Sequence, residues 1–231
     1  MKKQKILAIS VALMGSVFVS NGVMAGVSAN MGLASDYYFR GVLQSSGASG
    51  SAGIDYEHDS GLYVGTWLAD VGGQGDVSAS DGIEFDIYGG YTGEVQGFGY
   101  GIGYTSYQYT GDFDSAYNEF NLTASYGPIS FEFSAGTHDK IVGTTVNDQD
   151  EDYSFMAFAY EYESISVLYG IWGADLEGAY LEIAFSKTVS EIDLGVSLIN
   201  GDAEENPSAG SRNFATDGTA IVFTLGKTFD L

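Results

Sequence analysis

The chain has 231 residues, with Gly 33, Tyr 17 and Phe 14 against Pro 2 and no cysteine. Its formal charge of −23, from 31 acids and 8 Lys or Arg, excludes a nucleic-acid-binding role, which needs a basic patch. The lack of cysteine argues against a small secreted domain stapled by disulfides.

Residues 1–25 read as delivery rather than fold. Lys2, Lys3 and Lys5 form a basic start, Ile6 to Val19 an apolar stretch, and Val23, Met24 and Ala25 a small-residue cleavage site, the pattern of a secretory signal peptide. A membrane anchor needs about 20 apolar residues and a stop-transfer flank, and this stretch has neither. The mature domain is therefore expected to be 26–231. Loss of the three lysines, with no acid in residues 1–25, leaves it at −26. It contains no run long enough for a membrane helix, so a bilayer-spanning chain of this kind must be a closed sheet with every backbone group paired.

Period-two alternation predicts twelve strands, near 27–39, 50–58, 62–70, 82–92, 98–108, 117–126, 129–137, 152–162, 165–173, 179–187, 192–199 and 218–229. Ile83, Phe85 and Ile87 oppose Glu84, Asp86 and Tyr88; Ile129, Phe131 and Phe133 oppose Ser130, Glu132 and Ser134; Leu181, Ile183 and Phe185 oppose Glu182, Ala184 and Ser186. In the last strand Ile221, Phe223, Leu225 and Phe229 oppose Ala220, Val222, Thr224 and Thr228. The strand at 153–162 is apolar on both parities; turning Met156, Phe158, Tyr160 and Tyr162 to lipid places Glu161, Tyr153 and Phe155 inside, the two rings being available to stack on an organic cation or to pack a loop.

Connections alternate in length. Those at 59–61, 93–97, 127–128, 163–164 and 188–191 are tight, whereas 40–49, 71–81, 138–151 and 200–217 are long and polar. Short turns at one end, long loops at the other and an even strand number describe an all-β, antiparallel up-and-down transmembrane barrel of a Gram-negative outer membrane. A soluble sandwich or lipocalin-like barrel would hide its apolar face. Here Tyr56, Tyr63, Tyr91, Phe98, Tyr126, Phe131 and Phe229 gather near the short-turn ends, as an interfacial girdle would.

The strings SDYYFRGVLQS at 35–45, GIDYEHDSG at 53–61 and GLYVGTWLAD at 61–70, continued by EFDIYGG at 84–90 and YQYTG at 107–111, resemble the TorF family of porin-like proteins, also called the Gcw-chp family. The resemblance spans the mature chain and implies a bacterial outer-membrane barrel, without a defined substrate. Two positions depart from it: Tyr38 stands where the family often has Arg, and Leu43 where it often has Ser. A polar network that used the extra Arg would be lacking here.

The acids divide into two groups. Asp36, Asp55, Glu57, Glu84, Asp86, Glu119, Glu132, Glu182 and Asp193 follow the inward parity and, with Arg40, are the candidate pore-lining residues. A lumen lined by carboxylates attracts cations and repels anions. The same groups could instead form a hydrated, closed plug, and loops could fold inward. Arg40, read as the end of strand one, is either one side of a charge-separated constriction or a structural partner of the inner carboxylates.

The second group lies in the long loops: Asp70, Asp76 and Asp81; Asp112 and Asp114; Asp139, Asp148, Asp150, Glu151 and Asp152; Asp202, Glu204, Glu205 and Asp217. NDQDED at 147–152 offers oxygen ligands to divalent cations but lacks the glycine and spacing of an EF-hand. Otherwise these acids form a solvated, repelling outer face.

Catalysis finds no motif. His58 sits beside the turn Asp59, Ser60 and Gly61, where capping is the simpler role, and Thr137, His138 and Asp139 point to alternate faces of a strand and form no triad by adjacency. No cofactor is implied. The sequence thus predicts a porin-like channel for small hydrophilic solutes, cations preferred, with outer-membrane lipid as its surroundings. The alternative is a closed structural or adhesive barrel with acidic loops facing outward.

Overall fold

The computed structural model describes residues 25–73, 81–142, 145–202, 212–213 and 216–231, with no side-chain description for 140–149 or 212–213. Residues 1–24, all but the last of the stretch 1–25 expected to be a signal peptide, the loop acids Asp76, Glu204 and Glu205, and the side chain of Asp148 lie outside what is described.

The alternating segments become β1 (Gly26–Ala34), β4 (Ser49–Glu57), β5 (Leu62–Val71), β6 (Gly82–Val95), β7 (Phe98–Tyr109), β8 (Tyr117–Tyr126), β9 (Ile129–Val142), β10 (Thr145–Tyr162), β11 (Ile165–Ala174), β12 (Leu176–Val189), β13 (Ile192–Asp202) and β15 (Gly218–Asp230). Each pairs antiparallel with its neighbours, and β1 pairs with β15 to close a twelve-stranded barrel. Closure matters because an open edge in lipid would leave a row of unpaired N–H and C=O groups. A small hairpin, β2 (Tyr37–Phe39) with β3 (Val42–Ser45), stands apart from the wall, and β14 (Arg212–Asn213) lies parallel to the start of β12.

The parity readings hold. Ile83 and Ile87, Leu181, Ile183 and Phe185, and Ile221, Phe223 and Leu225 are exposed on the outer face, where a bilayer covers them, while Glu84, Asp86, Glu182, Ala184 and Val222 are buried inside. In β10 Met156, Phe158, Tyr160 and Tyr162 face out, and Tyr153, Phe155 and Ala157 face in. A charge on the outer band costs free energy that grows with depth, about 2–4 kcal/mol for Lys or Arg at the bilayer midplane and less for Asp or Glu, which is why the acids keep to the other parity.

The short turns also form as read. Gln96–Gly97 and Ser190–Glu191 both have two consecutive positive φ values, 52° and 80°, and 51° and 65°, the two-residue turn whose twist suits a hairpin. His58 caps its turn, its Nδ1 accepting from the Ser60 amide at 3.1 Å. Tyr56, Tyr91, Phe98, Tyr126 and Phe229 are exposed outward near these ends, joined by Tyr160 and Tyr162. Tyr63, expected in the girdle, turns inward instead, and its hydroxyl occupies the space that Cβ atoms at Gly90 and Gly103 would fill.

Two segments depart from the sequence reading. The expected loop at 138–151 is largely strand, β9 running on to Val142 and β10 starting at Thr145, with a register shift between Val146 and Asp150. The first strand, expected to run to Phe39, stops at Ala34. Arg40 does not end strand one; it occupies the turn of the β2–β3 hairpin, which folds into the barrel rather than out over its mouth.

Candidate functional site: a hairpin seated in the lumen

The hairpin turns at Arg40 and Gly41, with φ of 47° and 78°. Gly41 is required twice over, by its left-handed backbone and because a Cβ there would meet the Tyr180 ring at 2.5 Å. Arg40 accepts a left-handed conformation that costs an L-residue roughly 1–2 kcal/mol, and what offsets it is the surrounding lumen.

Its guanidinium is 5% exposed and donates through Nη1 to Glu119 Oε2 at 2.8 Å and through Nη2 to Glu119 Oε1 at 2.9 Å, a two-pronged pairing with β8. The same Nη2 reaches Glu132 Oε1 at 2.5 Å and Ser134 Oγ at 2.9 Å on β9. The group lies over the Phe155 ring at 4.5 Å and the Phe39 ring at 4.9 Å, and the Arg40 carbonyl accepts from Trp172 Nε1 at 2.9 Å. Burial opposes the charge, but the carboxylates of Glu119 and Glu132 outweigh it and hold the guanidinium's pKa well above its ordinary value.

Glu119 is saturated. Besides the two bonds from Arg40 it accepts from Tyr107 at 2.9 Å, Tyr153 at 3.1 Å and Asn121 at 2.6 Å. The inner aromatic pair foreseen on β10 is thus already engaged: Phe155 carries the protein's own Arg40, and Tyr153 packs on Trp172 with ring centres 6.0 Å apart. Phe39 fills the remaining space against Tyr107 at 5.3 Å and Trp172 at 6.5 Å. Between Phe39, Gln44, Tyr107, Tyr117, Tyr153 and Trp172 about 10 Å³ remains, room for roughly one water.

The hairpin is tied to the wall on several sides. Thr216 N donates to Gly41 O at 3.0 Å, Leu43 N donates to Thr216 Oγ1 at 2.8 Å, and Gly72 N donates to Gln44 O at 2.9 Å. Of the other candidate residues, Glu84, Asp86 and Glu182 are buried inside, Asp55 and Glu132 are half-buried, and Glu57 is partly exposed near the short-turn end. Asp193 is exposed there and accepts from Thr188. Asp55 accepts from Asn30 at 3.1 Å and from Tyr88. Asp36 accepts from the Gly47 amide at 3.1 Å and so braces the base of the hairpin. Among the residues whose side chains are described, Arg40 is the one Lys or Arg in the interior: Lys187 and Lys227 lie on the outward parity, and the side chains of Lys140 and Arg212 fall outside the description.

A further cluster escaped the sequence reading. His138 is buried at the long-loop end, stacked on Tyr117 with ring centres 4.3 Å apart, its Nε2 3.0 Å from Glu151 Oε2 and its Nδ1 3.3 Å from Ser115 Oγ. His138 and Glu151 are cross-strand partners of β9 and β10, a register no motif announces. Ser115 Oγ donates to the Asp139 carbonyl at 2.8 Å and is 6% exposed, so the group ties a loop to the wall and offers no presented nucleophile. Among the described residues no group of three or more His, Asp or Glu has the arrangement of a metal centre.

Comparison with known proteins agrees with this architecture. A family model described as "Bacterial protein of unknown function (Gcw_chp)" matches residues 22–229. No curated protein matches the sequence. Among solved structures, one reported under "Unveiling the Mechanism Behind the in-meso Crystallization of Membrane Proteins" is similar with a TM-score of 0.52 at 9% identity, covering 89% of this chain and 84% of that one. The KdgM porin in complex with disordered oligogalacturonate is similar with a TM-score of 0.51 at 8% identity, covering 89% of this chain and 99% of that one. The outer membrane phospholipase A from Escherichia coli overlaps more loosely, with a TM-score of 0.39 at 9% identity over 89% of this chain and 95% of that one. At such identities the likeness to the first two speaks for the fold alone. The chain belongs to the Gcw_chp family and is a twelve-stranded transmembrane β-barrel of the outer-membrane kind.

Proposed function

We propose that the protein is a porin-like channel of the bacterial outer membrane that passes small hydrophilic solutes by diffusion, favours cations, and is narrowed by its own β2–β3 hairpin. The observation that carries this reading is the charge balance of the interior: the side chain of Arg40 is spent on Glu119 and Glu132, while Asp55, Glu84, Asp86 and Glu182 lie on the inner parity without a Lys or Arg partner among the described residues. An acidic wall of low-dielectric depth concentrates cations and repels anions. Such a channel needs no cofactor and no nucleophile. Outer-membrane lipid covers the apolar band, and the acidic loops at the long-loop end form a surface to which divalent cations are drawn. The KdgM porin shares the fold, which supports a diffusive role for a twelve-stranded barrel.

The tight seat of Arg40 favours a second reading, a closed structural or adhesive barrel. Reversal potential across a planar bilayer under a potassium chloride gradient separates the two. Current steps with a cation-selective potential are expected, and Asp55→Asn with Glu182→Gln should move the potential toward zero. An anion-selective potential would contradict the electrostatic basis. A folded barrel that never conducts would leave the closed reading.

A further inference from the structure

Two carboxylates of the same lumen are treated in opposite ways. Glu119 accepts five hydrogen bonds. Glu84, 0% exposed, has neither oxygen hydrogen-bonded among the described residues; Asp86, 2% exposed, has Oδ1 unbonded, and the Tyr37 hydroxyl is likewise buried without a bond. Glu84 and Asp86 are two residues apart on β6, so both project to the same inner face. Tyr37 descends on them from the hairpin, its ring set edge-on against Trp67 at 5.7 Å. Burial, then the nearby Glu84 and Asp86 carboxylates and a close approach to Glu84 raise the phenol's pKa, and Tyr109 also approaches Glu84; neither Glu84 oxygen nor the Tyr37 hydroxyl reaches full hydrogen-bond geometry.

An unpartnered buried carboxylate is strongly unfavourable, and a pair of them more so, unless something neutralises the charge. The side chain of Arg40 is engaged with Glu119 and Glu132 and cannot. We propose that Glu84 and Asp86, with the Tyr37 hydroxyl, hold one hard divalent cation of the calcium class beneath the hairpin. An oxygen-only set carrying two negative charges matches such an ion and not a softer metal that prefers nitrogen or sulfur. Calcium tolerates irregular geometry and completes its shell with water, so two carboxylates and a phenol suffice as the protein's share. The bound ion would also pin the hairpin to β6, next to Tyr107, the cross-strand partner of Asp86 that donates to Glu119.

The site does not depend on conduction, so a silent barrel would leave it standing. The test is calcium binding by the purified full barrel in detergent after chelator treatment, by equilibrium dialysis against calcium chloride, with thermal unfolding in parallel. Wild type should bind one calcium more than the E84Q/D86N variant and show a melting temperature that rises with calcium; the surface variant D150N/D152N should keep that rise. Without calcium E84Q/D86N should melt above wild type, because amides remove the unpaired charge without changing shape. Equal stoichiometry and equal melting shifts in wild type and E84Q/D86N would place all calcium at the surface loops and overturn the proposal. So would an absence of binding by wild type, which would assign neutralisation to protons.

Discussion

Arg40→Ala should destabilise the barrel by about 3–5 kcal/mol, the usual cost of removing one partner from a buried ion pair. Glu119, fully buried, would keep its bonds from Tyr107, Tyr153 and Asn121 but lose both from the guanidinium. The loss has a signature beyond its size. Arg40→Lys keeps the charge but cannot reproduce the fork to Glu119 while also reaching Glu132 and Ser134, so it should recover only part of the stability. Pairing Arg40→Ala with Glu119→Gln should cost clearly less than the two single changes added together, because the second change removes the stranded charge. Urea unfolding in lipid vesicles measures all four proteins. Additive costs would mean that the pair seen here does not govern the seat of the hairpin.

Excision of the hairpin should raise unit conductance severalfold. The barrel wall permits the experiment, since Ala34 of β1 and Ser49 of β4 are already cross-strand partners. Replacing residues 35–48 with Asn-Gly gives a two-residue turn of the kind that joins such strands and leaves every wall strand in place. What leaves is Phe39, Arg40 and their contacts across to Tyr107, Trp172 and Phe155, the material that fills the lumen at this level. The excised barrel should also become more cation-selective, because it loses a positive charge and uncovers Glu119 and Glu132. Single-channel recording reads both quantities together. Unchanged conductance would mean that the hairpin does not set the narrowest point.

The wall of this protein is legible in its sequence because lipid imposes a one-sided rule. On β6, β12 and β15 a large apolar residue at every second position fixes the two faces, and Glu84, Asp86 and Glu182 are buried on the other one. The rule ends where the bilayer ends. The sequence of 138–151 is mostly polar and lacks the apolar alternation, so a strand there has the composition of a loop, and the pairing of His138 with Glu151 is set by register alone.

The hairpin was hidden for a different reason. Tyr37 and Phe39 alternate with Tyr38 and Arg40, which continues the period of β1 as though the strand had not turned. The available signal was chemical: a lumen holding this many carboxylates needs a cation, and Arg40 followed by Gly41 offers one at the tip of a two-residue turn. The string SDYYFRGVLQS that carried the family resemblance is this luminal hairpin and its base. The motif is therefore best understood as a seat in the lumen, not as an outer loop.

Cysteine labelling of intact cells tests the inward placement of the hairpin most directly, because the native chain contains no cysteine. Tyr37→Cys places a thiol where the side chain is 1% exposed, whereas Asp112→Cys places one in the exposed β7–β8 connection. A membrane-impermeant maleimide should label the second rapidly and leave the first unmodified until the barrel is unfolded. Labelling of Tyr37→Cys as fast as Asp112→Cys would put the hairpin outside the lumen and contradict the account.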